Sequence, residues 1–246
     1  MVAPSADRWA TRPGGWDPLQ ARRLYRGDPA HGIPELLPVE LPATLPTRFT
    51  PWPARKHAAA GNGLHFFVDD YRFEPLWRSP RRYAAVLERA PLVLGPDFSV
   101  YADWPRAMAL WNVYRARWLC RELQDMDVAV VPSVTWGSPD TFDFAFLGLP
   151  SGTPVAVTSV GRARALEAYD QGYRAMVAAV APRRVFVCGP RLSPELEALA
   201  AVVHVPSEAL GRLRRIERWA VEGAAPAGVE AAAPAGPRSA ASSPAA

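Results

Sequence analysis

The chain has 246 residues, of which 49% are hydrophobic and 21% are charged, and its formal net charge is +4. A chain of this size buries a substantial core, so the composition indicates a soluble globular protein and excludes a small disulfide-stapled scaffold. The 28 basic residues include a single lysine, Lys56. Because a GC-rich coding sequence gives the same arginine bias, the charge by itself does not indicate a nucleic-acid-binding protein.

Cysteine usage and hydropathy give a first expectation of the compartment. Cys120 and Cys188 lie in different predicted elements, and neither has a second cysteine at a metal-ligand or redox spacing. No run of eighteen apolar residues occurs, and the N-terminus carries charges and prolines where a signal peptide is apolar. We therefore expect a reduced, cytoplasmic protein with no membrane partner.

Proline divides the chain into three segments. Residues 1–63 are interrupted by ten prolines but keep many aromatic and aliphatic residues, which predicts an extended N-terminal arm packed on the core. Residues 223–246 consist largely of Ala, Pro, Gly and Ser, which predicts a disordered tail. Residues 64–222 between them are expected to form a single α/β domain.

Within that domain, short apolar runs alternate with segments of helical periodicity. The runs span 64–68, 91–95, 128–134, 154–160, 184–189 and 202–206. They are continuously apolar, which is typical of strands buried on both faces by crossover helices. The pattern predicts a mainly parallel sheet of about six strands. Since a closed eight-unit barrel needs about 250 residues, the sheet is expected to be an open three-layer arrangement or an incomplete barrel.

The predicted helices have recognisable starts and faces. Asp103 is expected to cap a helix whose apolar stripe includes Met108, Trp111, Tyr114 and Trp118. A second helix follows Gly161 and ends before Pro182, Ser193-Pro194 opens a third, and Ser207 caps a fourth.

Ligands of parallel α/β folds gather at the carboxyl ends of the strands, and acidic residues follow the first three predicted strands. They include Asp69, Asp70 and Glu74 after the first strand and Asp97 after the second. One hypothesis is a divalent metal held by Asp69, Asp70 and Asp97, with Arg162 or Arg191 facing an anionic substrate. A second hypothesis divides acid and base roles between two carboxyls. The third is that these residues are caps, turn formers and ion-pair partners.

The helix that contains Asn112, Arg115 and Arg117 is also rich in aromatic residues. Arg115 lies close to the apolar stripe and is positioned to bind a carboxylate or phosphate. The alternative is that the arginines pair with acidic residues at the surface. In the last predicted helix, Arg212, Arg215 and Arg218 recur every three residues, which suits either contacts with nucleic-acid phosphates or a solvated helix face.

Three further residues are weaker candidates. His65 and His204 lie inside strand runs, where a core histidine is the usual explanation. Cys188 precedes Gly189 at a strand end, a position compatible with a nucleophile, but no pattern identifies its base.

Four segments resemble an uncharacterised domain family of unknown function, whose members occur in bacterial genomes, plasmids and phages. They are HFFVDDYRFEPLW (65–77), GPDFSVYADWP (95–105), WNVYRARWL (111–119) and VPSVTWGSPDTFDFAFLGLPSGTPVAVTSVG (131–161). The resemblance covers roughly residues 60–190, carries no activity to transfer, and implies a mobile-element context. It singles out Asp70, Phe73, Glu74, Trp77, Asp97, Phe98, Tyr101, Asn112, Arg115, Trp118 and Trp136.

Two functions are consistent with these observations. The first is an enzyme with Asp70, Glu74 and Asp97 as catalytic carboxylates, Asp70 and Asp97 holding a divalent metal, and an anionic substrate bound by Tyr101, Asn112, Arg115 and Trp136. Its chemistry would be metal-assisted hydrolysis or phosphoryl transfer. The second is a non-enzymatic accessory protein of a plasmid or phage that binds DNA or a partner protein through Arg212, Arg215 and Arg218.

Overall fold

The computed structural model describes residues 17–205, and its sheet confirms the predicted α/β class. Seven strands lie within these residues: β1 (Phe49–Pro51), β2 (Gly63–Phe66), β3 (Val93–Pro96), β4 (Val130–Val131), β5 (Val155–Thr158), β6 (Val185–Cys188) and β7 (Val202–Val205). The helices are α1 (Glu74–Arg78), α2 (Ala84–Leu87), α3 (Arg106–Gln124), α4 (Phe142–Ala145), α5 (Leu166–Val180) and α6 (Pro194–Glu197). Short 3₁₀ turns lie at Trp52–His57, Asp70–Arg72, Pro80–Tyr83, Pro139–Thr141 and Arg162–Arg164.

All strand pairs are parallel, and the strands follow one another in chain order. β1 to β4 form one sheet and β5 to β7 form another. A parallel bridge between Ser133 and Ala156 joins the two, supported by a 2.8 Å hydrogen bond from the Val134 N–H to the Ala156 carbonyl. The apolar runs therefore form parallel strands, as their composition predicts. Crossover helices cover one face of each strand.

The inner face of the sheet is covered by other strands rather than by helices. Its cluster contains Phe49 of β1, Leu94 of β3, Val131 of β4, Ala156 of β5, Phe186 of β6 and Val205 of β7. Phe49 and Phe186 belong to strands that are not neighbours, yet their ring centroids are 6.2 Å apart. The sheet therefore curls on itself as an incomplete barrel, which is one of the two arrangements that the sequence predicts.

Residues of the segment 1–63 take part in this core. Phe49–Pro51 pairs with β2, and Val39 belongs to the inner cluster. Ile33 and Trp52 are also buried. Trp52 stacks on Phe66 of β2, with a ring-centroid distance of 4.7 Å. Residues 33–52 are thus anchored in the core by their apolar side chains.

Helix α3 corrects two predictions. It begins at Arg106 with Pro105 in the N-cap position and no side-chain cap, so Asp103 is not the cap. Met108 is 47% exposed and Trp111 is 36% exposed, so the start of the predicted stripe does not face the core, whereas Trp118 at its end is 1% exposed and buried as predicted. Beside Trp118, the helix buries mostly smaller residues, namely Ala109, Val113, Ala116, Leu119, Cys120 and Leu123. Gly95 of β3 permits this close approach, because a Cβ there would lie 2.7 Å from Cys120 Sγ.

The same helix buries Arg117, contrary to the surface ion pair considered for it. Arg117 is 1% exposed, and it donates hydrogen bonds to the carbonyl oxygens of Ser133, Leu147 and Ala145 at 3.0, 3.0 and 2.8 Å. Burial lowers the pKa of Arg117 to about 10, so the guanidinium remains charged at neutral pH. Three carbonyl dipoles provide the solvation that water would otherwise supply.

The other helices follow the sequence more closely. Ser193 is the N-cap of α6, and α5 ends at Val180, just before Ala181 and Pro182. Leu166, at the start of the predicted stripe of α5, is exposed, whereas Tyr173 and Val180 are buried. Within residues 17–205, no helix is long and apolar enough to cross a membrane.

Candidate functional site

The predicted site residues Asp70, Glu74, Asn112 and Arg115 lie together at the carboxyl ends of β2 and β3. Asp70 accepts hydrogen bonds from the Ser99 N–H at 3.1 Å and from the Ser99 hydroxyl at 2.9 Å. Asn112 then donates to the Ser99 carbonyl at 2.7 Å. Asp70 and α3 are therefore connected through the loop that follows β3.

Arg115 completes this network. It donates to Asn112 Oδ1 at 2.7 Å and forms an ion pair with Glu74 at 3.0 Å. The guanidinium lies 3.9 Å from the ring centroid of Phe98. Glu74 thus pairs with an arginine, as the hypothesis of ion-pair partners predicts. Arg115 is held in place by a carboxylate, an amide and an aromatic ring.

Asp97 lies at the end of β3, beside this network. Its Oδ1 accepts a hydrogen bond from the Thr135 hydroxyl at 2.6 Å. Burial raises the pKa of Asp97 to about 7, the negative charge of Asp70 adds to the increase, and the Thr135 hydrogen bond opposes it. Asp97 therefore exchanges its proton near neutral pH.

Asp70 differs from Asp97 in its hydrogen bonds. Burial also raises the pKa of Asp70, while the two Ser99 donors and the positive charge of Arg115 act in the opposite sense. Two neighbouring carboxyls with unlike surroundings are the arrangement that separates acid and base roles. Among residues 17–205, no group of three or more His, Cys, Asp or Glu side chains is arranged to hold a metal ion.

Tyr169 is a site residue that sequence reasoning missed. It lies on α5, where burial raises the pKa of the phenol and the charge of Asp97 makes a smaller contribution in the same sense. Its hydroxyl oxygen is buried and has no hydrogen-bond partner in the described part of the chain. A buried hydroxyl without a partner is costly, so Tyr169, whose hydroxyl has none among the described residues, is a candidate for contact with a ligand. Its place in a helical apolar stripe gave no signal of this role.

Trp136 forms one wall beside Tyr169. The ring centroids of the two residues are 5.3 Å apart. A Cβ on Gly172 of α5 would lie 2.0 Å from Trp136 Nε1, so the glycine allows the indole to lie against the helix. Because Thr135, the residue before Trp136, donates to Asp97, Trp136 lies on the Asp97 side of the site, and its substrate-binding role stays a prediction.

The remaining candidates lie away from this group or have other partners. Tyr101 is 55% exposed and packs on Trp104. Asp69 pairs with Arg72, Arg162 pairs with Asp170 at 2.7 Å, and Arg191 is exposed. Arg212, Arg215 and Arg218 lie outside the described residues.

The histidines and Cys188 have structural surroundings. His65 is fully buried in β2, where burial lowers its pKa to about 4, and its Nδ1 accepts the Phe67 N–H at 3.3 Å. His204 Nε2 lies 3.0 Å from Glu197. Cys188 is buried in the inner cluster of the sheet, and Cys120 is a buried free thiol.

A family model described as a domain of unknown function, DUF4417, matches residues 25–205. Two relatives are proteins named "Gene 1 protein", from Mycobacterium phage D29 and Mycobacterium phage L5, and each is 42% identical over 161 residues. That region is 64% of this chain, 58% of the D29 protein and 69% of the L5 protein, so the match covers part of each relative. No solved structure matches the chain.

Proposed function

The chain belongs to the DUF4417 family, whose function is unknown, and we propose that this member is a hydrolytic enzyme with Asp97 as its general acid–base. The observation that supports this proposal is a carboxyl with a pKa of about 7 at a strand end, next to the unpartnered hydroxyl of Tyr169. A pKa near the working pH is what a proton-transfer group needs.

The proposed reaction uses both groups. Ionised Asp97 removes a proton from a water molecule as the water oxygen attacks the electrophilic carbon or phosphorus atom of the substrate. The bond to the leaving oxygen breaks, and that oxygen takes the proton from Asp97. Tyr169 donates a hydrogen bond to the substrate oxygen on which negative charge develops.

Asp70, Glu74 and Arg115 support this site through their charges and hydrogen bonds. Arg115 neutralises Glu74, and the Ser99 donors orient Asp70, whose charge helps to keep the Asp97 pKa high. Asn112 and Trp136 position these groups and border the substrate. An anionic substrate stays a prediction of the sequence. A divalent cation at Asp70 and Asp97 stays the alternative to proton exchange by Asp97, because a bound cation would keep both carboxylates ionised.

The test is hydrolysis of a panel of chromogenic phosphomonoesters, phosphodiesters and carboxylic esters, with and without Mg²⁺. Asp97→Asn keeps an acceptor for Thr135 but cannot exchange a proton, so we expect kcat/KM to fall by about 10²–10⁴-fold. Activity of the unaltered chain should change with an inflection near pH 7. The matched control is Asp103→Asn, at an exposed aspartate outside the site.

Two results would contradict the proposal: no hydrolysis of any compound in the panel, or equal activity in Asp97→Asn and Asp103→Asn. Dependence on Mg²⁺ that is lost in Asp70→Asn would support the metal prediction. Full activity in excess chelator would contradict it.

The phage origin of the relatives favours a second candidate, an accessory protein that binds DNA. This candidate depends on Arg212, Arg215 and Arg218. Its test is a salt titration against duplex DNA, in which neutralised phosphates give an affinity that falls as salt rises. Unchanged affinity after replacement of all three arginines by alanine would contradict it.

A further inference from the structure

A basic cavity lies at the opposite ends of the strands, where β2 and β3 begin. Its volume is about 350 Å³, within the size range of small-molecule sites. The lining comes from the 3₁₀ turn Trp52–His57, from the loop before β2, and from α2 and the residues after it. This cavity shares no lining residue with the Asp97 site.

Every charged side chain that lines the cavity is positive. These are Arg55, Lys56 and Arg89. None of the three forms an ion pair with a carboxylate within residues 17–205. Like charges around one concave surface repel one another, and an anion in the cavity would relieve that repulsion.

The position of Arg55 is fixed before any ligand arrives. Its guanidinium lies 4.3 Å from the ring centroid of Trp52 and 5.2 Å from that of Tyr83. It also donates to the Trp52 carbonyl at 3.1 Å. Arg55 therefore loses little conformational freedom on binding, which raises the affinity of such a site.

The loop before β2 adds backbone donors. The N–H groups of Ala59, Ala60 and Gly61 donate to no acceptor in the described part of the chain. Gly61 has a φ of +82°, a left-handed conformation that a side chain would strain. Free N–H groups in a turn beside cationic side chains are characteristic of anion sites.

Beneath the cationic rim, the cavity has an apolar floor. Leu64, Val86, Ala58 and Ala90 line it. A bare inorganic anion would leave this surface uncovered, whereas a ligand that joins an apolar or aromatic part to a phosphate would cover both surfaces.

From these observations we propose that the cavity binds a small phosphorylated molecule of nucleotide size, with its phosphate on Arg55, Lys56 and Arg89. The size and concavity of the site favour a small ligand over the backbone of a nucleic acid. The proposal is independent of the hydrolytic role of Asp97.

Isothermal titration calorimetry of the full chain at low ionic strength tests this. The probes are adenosine 5′-monophosphate, adenosine and inorganic phosphate. We expect the nucleotide to bind most tightly, phosphate to bind at least tenfold more weakly, and adenosine to show no binding. In Lys56→Glu/Arg89→Glu, nucleotide affinity should fall at least tenfold, because both exposed cations of the rim are reversed.

The matched control is Arg78→Glu/Arg174→Glu, which changes the net charge equally at exposed sites outside the cavity. Its nucleotide affinity should stay within twofold of the unaltered chain. Lys56→Gln/Arg89→Gln provides a milder change if the reversed variant does not fold.

The proposal is overturned if none of the probes binds at millimolar concentration, if adenosine binds as tightly as its monophosphate, or if cavity and control variants weaken binding equally. Binding of a short DNA duplex without binding of the mononucleotide would also overturn it.

Discussion

Two regions of the molecule contain buried polar groups, and they differ in whether those groups have partners. On α3, Arg117 donates to three carbonyl oxygens and Glu122 accepts from Tyr25, Arg23 and Arg81. At the strand ends, Asp97 accepts one side-chain hydrogen bond and the Tyr169 hydroxyl has no partner among the described residues. The saturated region stabilises the fold, whereas the unsaturated region is where we propose that a substrate binds.

The largest loss of stability is expected from Arg117→Met, which replaces the charged guanidinium by an apolar group on a side chain of similar length. Three buried carbonyl oxygens would lose their donors at about 1–3 kcal/mol each. We expect the free energy of unfolding to fall by about 3–6 kcal/mol in urea denaturation. A loss below about 1 kcal/mol would show that the three hydrogen bonds do not stabilise the fold.

Glu122→Ala is expected to have the next largest effect. Glu122 is 2% exposed, and two of its partners, Arg23 and Tyr25, belong to the proline-rich segment. We expect a loss of about 2 kcal/mol, since Arg23 and Arg81 stay partly solvated. Limited proteolysis should also cleave the segment around residues 17–40 faster. The control is Glu88→Ala at an exposed position, expected to change stability by less than about 0.5 kcal/mol.

Asp97→Asn should change the pH dependence of stability. The folded-state pKa of Asp97, about 7, lies above the ordinary aspartate value of 3.8, so folding is accompanied by proton binding between these pH values. The contribution of Asp97 to the free energy of unfolding is fully present below about pH 4. It is lost as the pH rises to about 7, at up to about 1.4 kcal/mol per pH unit.

His65 acts in the opposite sense over part of that range. Its lowered pKa of about 4 means that stability is lost as the pH falls from 6.5 toward 4. The difference between the unaltered chain and Asp97→Asn removes the His65 contribution. Identical pH profiles of the two proteins would contradict a raised Asp97 pKa.

The smallest effect on stability is expected from Tyr169→Phe. Because the hydroxyl has no partner in the described residues, its removal should change the free energy of unfolding by less than about 0.5 kcal/mol. In the hydrolysis assay, the same variant should lower kcat with little change in KM. A loss of stability above about 1 kcal/mol would show instead that the hydroxyl is part of a structural network.

The sequence predicts most of the architecture because most strands are marked by a local run of apolar residues. The apolar runs 64–68, 154–160 and 184–189 correspond to β2, β5 and β6. Phe49–Pro51 has no such run, so β1 could not be recognised before its pairing with β2 was known. Asp70, Glu74 and Asp97 could be expected to lie near one another because parallel strands present their carboxyl ends at one edge.

Other features depend on contacts that no local pattern shows. Arg117 is buried because carbonyl oxygens 16 to 30 residues away converge on it. Packing against distant segments likewise decides which face of α3 is buried. The smaller residues of the helix face the core, and Trp111 does not. Tyr169 has ordinary helical spacing, and only its neighbours in space identify it as a site residue.

The proton affinity of Asp97 is the central claim, and a ¹³C NMR titration of its side-chain carboxyl tests it most directly. Asp97→Asn assigns the resonance, and Asp103 provides an exposed reference. We predict a midpoint near pH 7 for Asp97, and a downward shift of that midpoint in Asp70→Asn as the neighbouring charge is removed. A midpoint near 4, unchanged in Asp70→Asn, would contradict the assignment of Asp97 as the proton-transfer group.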